Sequence, residues 1–356
     1  MFRTAIAIVL ILAWSDPSRA TTPSWMMQLE LNGRLIEGQP LTWSPDRVVL
    51  LGRDGYLWTF APAEARNYRR TSDYFRSLSQ ADLRGQLLRE FGREFEVSGT
   101  GHYLVVHPSG QRDEWAPRFE SFYRAFIHYF SARGARPDAV RVPLVAVVFS
   151  RRADFLRYAA QNKAQLLPGS IGYYCPTSNR VLLYDVTSEA PGVDWYVNAE
   201  TVIHEAAHQC AFNTGLHSRY AMPPRWVAEG LGTMFESRGL WDSARSGSRA
   251  DRVQRERLAA FRQYVAAGRP AGSLAEFVGS DRAFQRDADA AYAEAWALTF
   301  FLAETQPRQY LEYLKATAND SDESQTSVHR LRAFQRIFGQ NLAVFEAQYL
   351  RFIEKL

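Results

Sequence analysis

The sequence predicts an α+β protein, and three observations carry that prediction. Residues 27–62 alternate apolar and polar positions around the turn dipeptides Asn32-Gly33 and Asp54-Gly55, the pattern of a small β module. From residue 73 to residue 184, short apolar runs suited to strands are interleaved with helical patterns. After Glu236 only helical patterns remain. At 356 residues, 46% apolar and 22% charged, the chain has ample material for a core and the make-up of a soluble globular protein. Its net charge of +4, from 42 basic and 38 acidic residues, is too balanced to point to nucleic acid. Only Lys163, Lys315 and Lys355 are lysines, but the arginines are scattered and form no phosphate-binding cluster.

Taken in order, residues 1–20 read as a signal peptide. Arg3 gives a positive start, residues 5–14 are apolar, and Ser18-Arg19-Ala20 offers a cleavage site. Ten apolar residues are too few to span a bilayer, and no cysteine lies near the site. The mature chain is therefore expected to be exported, periplasmic or extracellular, without a transmembrane segment. Residues 21–70 form the β module, with a hairpin from 48–51 and 56–58. Residues 71–356 form the second domain. Its part over 71–240 holds a helix at 73–92, paired strands at 95–97 and 103–106, and an aromatic-rich helix at 117–133. A strand at 144–149, a helix at 153–162 and a hairpin from 171–175 and 179–184 follow. A helix over 196–213 is stopped by Gly215, and another begins at Pro223-Pro224 and runs through Glu236. Residues 243–252 read as a loose basic linker. The part over 251–356 is helical, with one helix at 291–304 and others over 328–356.

Chemistry concentrates in the last two helices of the 71–240 part. His204-Glu205-Ala206-Ala207-His208 sets two imidazoles at i and i+4 on one helix face, where both reach a single ion. Glu205 sits about 100° around from His204, able to touch a water held there without being a ligand itself. Two solvated histidines on a surface helix would give the same string. However, Val202, Ile203, Ala206 and Cys210 line the opposite side and would pack on a core. Catalytic zinc takes three protein ligands, and two His plus one Glu is an established set. Glu229, in Trp226-Val227-Ala228-Glu229-Gly230, is the candidate third ligand. The 20 residues between His208 and Glu229 leave room for a reversal. Glu229, Thr233 and Glu236 share a face, so Glu236 and Thr233 are candidates to support the ligands from behind. Gly230 and Gly232 are poor helix residues, and their presence implies that another backbone comes close. Cys175 and Cys210 are either bridged or two separate thiols. Cys210 is turned away from His208 and is a poor zinc ligand. His102, His107, His128, His217 and His329 have no ligand spacing and read as structural or exposed.

His204-Glu205-x-x-His208 followed by Trp226-x-x-Glu229-Gly230 resembles the gluzincin zinc metallopeptidases of the peptidase MA-like clan. With Gln209 after the second His, and Pro224-x-Trp226-x-x-Glu229-Gly230-x-x-x-x-Phe235-Glu236, the chain is similar to a secreted bacterial family catalogued as a domain of unknown function. Leu51-Gly52-Arg53-Asp54-Gly55 and Tyr292-Ala293-Glu294-Ala295-Trp296-Ala297-Leu298 extend the likeness. Gly232 stands where alanine is common in that family. The resemblance implies a small mixed sheet with an edge strand, a metal helix, a Glu-ligand helix and a helical C-terminal part. It implies one Zn2+ per chain, held by His204, His208 and Glu229, with Glu205 as general base. It also implies that Gly172, Tyr173 and Tyr174 offer backbone groups to an extended peptide. Tyr292 would stabilise the oxyanion, with Tyr220 as competitor. The expected partner is a peptide or protein substrate. No anchor for a substrate α-amine is visible, which favours an endopeptidase. A silent zinc-binding envelope module and a hydrolase of cell-wall peptides are the alternatives.

Overall fold

The computed structural model describes residues 24–356 except 112–114, 163, 165, 167–168, 190–195, 243–247 and 321–325. Residues 1–20, expected from the sequence to be a signal peptide, lie outside the described residues. The architecture is mixed α+β, and the chain divides into two compact units.

The first unit is the described part of Met1–Gly52 with Trp58–Arg76. Its antiparallel sheet is built from β1 (Met26–Leu31), β2 (Arg34–Trp43), β3 (Val48–Gly52), β4 (Leu57–Phe60) and β5 (Ala65–Ser72), in the order β4-β3-β2-β1-β5. Asn32 and Gly33 both take positive φ, 50° and 76°, and close the β1–β2 hairpin with Leu31 opposite Arg34. Met27, Leu29, Leu31, Ile36, Val48 and Leu50 make its core. The sequence reading has no strand at β5. Apart from Ala65, that segment is polar and almost entirely exposed, so it carries no apolar alternation; its backbone pairing with β1 makes it a strand.

The second unit comprises Arg53–Leu57 and Ser77–Leu356. Its elements before the metal motif are α1 (Gln80–Phe91), β6 (Phe95–Gly99), β7 (Tyr103–Pro108), α2 (Trp115–Ala132), β8 (Leu144–Phe149), α3 (Arg152–Gln161), β9 (Gly172–Cys175) and β10 (Arg180–Tyr184). The sheet order is β6-β7-β8-β10-β9. β7, β8 and β10 run parallel, and the outer strands β6 and β9 are antiparallel to their neighbours. Leu104, Val106, Val145, Val147 and Leu182 pack with α1 and α3 on one face. Val105, Ala146, Val148, Val181 and Leu183 join the main core on the other. Coverage of both faces explains why these strands read as unbroken apolar runs. Helix α1 starts later than the sequence pattern implies, because Ser79 caps it by accepting from the Asp82 amide.

Then come α4 (Tyr196–Asn213), α5 (Arg225–Phe235), α6 (Arg238–Trp241), α7 (Arg255–Ala266), α8 (Ser273–Gly279), α9 (Ala283–Arg286), α10 (Ala288–Thr305), α11 (Pro307–Asn319), α12 (Ser327–Phe338) and α13 (Leu342–Glu354). Among the described residues, no helix is long and apolar enough to cross a membrane. Of the expected basic linker, 243–247 lie outside the described residues. The rest is not loose: Arg252 grips the Glu304 carboxylate through two nitrogens, at 3.0 and 2.8 Å.

No bridge joins Cys175 and Cys210; both thiols are free and buried. Tyr174 faces α4, its ring stacked on Phe212 at 5.6 Å, so the next residue along β9 points to the opposite face. Cys210 instead lies 3.6 Å from the Tyr103 hydroxyl, and burial pushes its thiol up to about 12.

Candidate metal centre

The site forms where α4 crosses α5 beside the edge strand β9. Gln209, the residue after His208, holds α4 on the sheet: its buried Nε2 donates to the carbonyls of Val145 and Asn179, at 3.0 and 2.7 Å. Helix α5 begins at Pro224, whose ring suits a helix entrance. The two glycines of α5 have different reasons. At Gly230 a Cβ would come within 2.5 Å of the Ala295 carbonyl, so the absent side chain lets α10 pack against α5. At Gly232 the close neighbour is a side chain, not a backbone: a Cβ would lie 2.9 Å from Cε1 of His204.

His204, His208 and Glu229 converge. Nε2 of His204 is 3.0 Å from Nε2 of His208, and Glu229 Oε2 is 3.3 and 3.6 Å from these two atoms. His204 Nδ1 lies 2.8 Å from Glu236 Oε1. A carboxylate only accepts, so this contact puts a proton on Nδ1, and the neutral ring that a metal requires then turns its Nε2 lone pair to the cluster. Three donors within 4.8 Å of one another, two of them imidazole nitrogens, suit a divalent ion, and the set can hold one. Burial alone would push the Glu229 carboxyl up, yet the two imidazoles outweigh it and hold it well below the usual carboxylate range. Burial would likewise depress His204, but the Glu229 and Glu236 carboxylates raise it instead.

Glu205 stands beside the cluster. Its Oε2 accepts from the Tyr174 amide at 2.6 Å, and burial raises its carboxyl despite both neighbouring imidazoles. A cleft of about 260 Å3 opens over these groups, lined among others by Gly172, Tyr173, Tyr174 and Tyr292. Gly172 lets β9 approach α4, since a Cβ there would lie 3.0 Å from Cγ of Glu205. The Tyr292 side chain lines the cleft close enough to Glu229 and Arg225 to feel both charges, and burial, with the Glu229 charge, pushes its hydroxyl well above the usual tyrosine range. Tyr220 sits instead near Arg141.

Two expectations change. Thr233 does not support a ligand side chain: its hydroxyl donates to the Glu229 carbonyl at 2.7 Å, the nearest acceptor one turn back in its own helix. The Tyr174 amide is engaged by Glu205, so of the three β9 residues it is not the one that offers a free N–H. The sequence reading also passed over Arg225. It lines the cleft, with Nε 3.8 Å from Glu229 Oε1 and its guanidinium 4.6 Å from the centre of the Phe284 ring. Its position one turn before Glu229 was the available signal.

Residues 198–322 match the model of a family described as a protein of unknown function (DUF1570). The matched stretch contains all three candidate ligands. No curated protein matches the chain.

Proposed function

We propose that the chain is a zinc-dependent metallopeptidase of gluzincin type that hydrolyses peptide bonds. The observation that carries this reading is the convergence of His204, His208 and Glu229 at the floor of a cleft, with Glu205 beside them and outside the ligand set. Zinc bound there would supply Lewis acidity, which acidifies water and polarises a carbonyl. Glu205 takes up the proton of the attacking water on a carboxylate oxygen and returns it to the leaving amine nitrogen. Its burial, which raises the carboxyl, suits it to hold that proton in transit. The Tyr174 amide fixes the orientation of Glu205. The Tyr292 hydroxyl donates toward the developing oxyanion. Strand β9 lies at the edge of its sheet, so an extended peptide can pair with the backbone groups that Glu205 leaves free. We further propose that the enzyme is exported, on the strength of the apolar segment at residues 5–14, and acts as an endopeptidase.

The test is cleavage of a diverse peptide library by the zinc-loaded protein and its Glu205→Gln variant. The variant should lose on the order of 10²–10⁴-fold in rate while still binding zinc, the usual worth of a general base. Equal cutting by both, or none by the wild type with zinc bound, would overturn the reading.

A further inference from the structure

The two histidine ligands are not supported alike. His204 Nδ1 has the Glu236 carboxylate, whereas His208 Nδ1 is buried with no protein hydrogen-bond partner. A second buried ring nitrogen in the same condition is Nε2 of His217. His217 is 2% exposed, lies outside both metal motifs, and takes no part in the chemistry proposed above.

The fold brings these two rings to the same stretch of α4. Gly215, at φ 77°, turns the chain back after the helix ends. The His217 amide then donates to the Ala211 carbonyl at 2.9 Å, and its ring meets that of Phe212 edge-on at 5.2 Å. Ala211 and Phe212 follow His208 by three and four residues, so they lie on the same helix face one turn along.

Proton counting makes the two nitrogens complementary. His208 presents Nε2 to Glu229 and His204, so the neutral ring that binds a metal through Nε2 carries its proton on Nδ1. That is a buried donor lacking an acceptor. His217 Nδ1 lies 2.8 Å from the Leu216 carbonyl, which can only accept, so the His217 proton is on Nδ1 and Nε2 is a lone pair. That is a buried acceptor lacking a donor. Burial of the ring disfavours its charged form, so His217 is a neutral acceptor.

We propose that His217 is the outer partner of His208, its Nε2 accepting the His208 Nδ1 proton through one buried water. His217 is thereby a positioning residue that holds the His208 imidazole with Nε2 toward the ion. The inference rests on the metal-centre reading. It makes the site asymmetric: a carboxylate stands behind one ligand and a neutral imidazole behind the other.

The experiment measures zinc affinity by competition with a chromophoric chelator, alongside thermal unfolding of the zinc-free protein. His217→Phe should bind zinc about 10–100-fold more weakly than wild type, the usual effect of losing a partner behind a ligand. His217→Gln, which keeps an acceptor, should recover most of that loss. Equal zinc affinity in wild type and His217→Phe would overturn the inference and leave the metal centre standing. Absence of zinc binding by the wild type would overturn the metal centre itself. Should His217→Phe fail to fold, ring-nitrogen NMR of the zinc-loaded wild type decides the matter. Protons on Nδ1 of both His208 and His217 are expected, and a proton on His217 Nε2 would overturn the proposal.

Discussion

Gly232 is the residue at which a single methyl group bears most directly on the site. An added Cβ would sit 2.9–3.1 Å from Cε1, Nε2 and Nδ1 of His204, whose Nδ1 is held by Glu236. Gly232→Ala should gain roughly 1 kcal/mol of helix propensity and yet weaken zinc binding about tenfold, because the ring must tilt to make room. Chelator competition together with thermal unfolding separates the two effects; undiminished affinity would show that the ring yields freely. The pairing of His204 with Glu236 was within reach of a helical count, as was the ligand set. Thr233 was misplaced for a local reason: a buried hydroxyl on a helix satisfies itself on the carbonyl four residues back before it can serve a neighbour. Arg225 is marked only by its place one turn before Glu229, and His217 carries no spacing signature at all, since its surroundings come from other parts of the chain.

At the level of elements, the site depends on two close crossings, α4 over α5 and α5 against α10. Gly230 sets the second. Its absent side chain leaves room for the Thr299 hydroxyl and the Ala295 carbonyl of α10, and the carbonyl cannot retreat without moving the helix. Gly230→Ala should therefore destabilise the protein by about 1–3 kcal/mol despite its better helix propensity, read as a lower urea midpoint. A variant as stable as wild type would mean that the helices separate at little cost. Long, periodic elements such as α2, α4 and α10 were legible in the sequence. β5 was not, because its side chains are polar and its strand character lies in backbone pairing with β1. The start of α1 was also misplaced, since a capping serine rather than hydrophobic period decides it.

Across the second unit, one buried ionic cluster ties distant segments together. Arg269, 2% exposed at its side chain, donates to Glu294 of α10 at 3.0 Å and to Glu346 of α13 at 2.7 Å. Glu346 also accepts from the Gly272 and Leu274 amides at the start of α8. Arg269→Met would leave two buried carboxylates without their cation, at a cost of about 3–5 kcal/mol. Burial already raises the Glu294 carboxyl, and without Arg269 it would rise further. The folded variant then binds protons more tightly than the unfolded chain, so its deficit should shrink as pH falls through the carboxylate range. Urea unfolding of variant and wild type at neutral and acidic pH checks both the size and the sign; a deficit that widens toward acid would contradict it. The sequence by itself determined the α+β class, the candidate metal-binding triplet and the candidate base. Each of these rests on short repeats that the helix and strand periods convert directly into faces. Only the tertiary structure decided which ring nitrogen points where, why the two glycines of α5 are needed, that Cys175 and Cys210 stay apart, and that His217 packs on α4 one turn along from His208. Those facts depend on chain reversals and close packing, where ångström-scale approach between segments far apart in sequence sets the outcome.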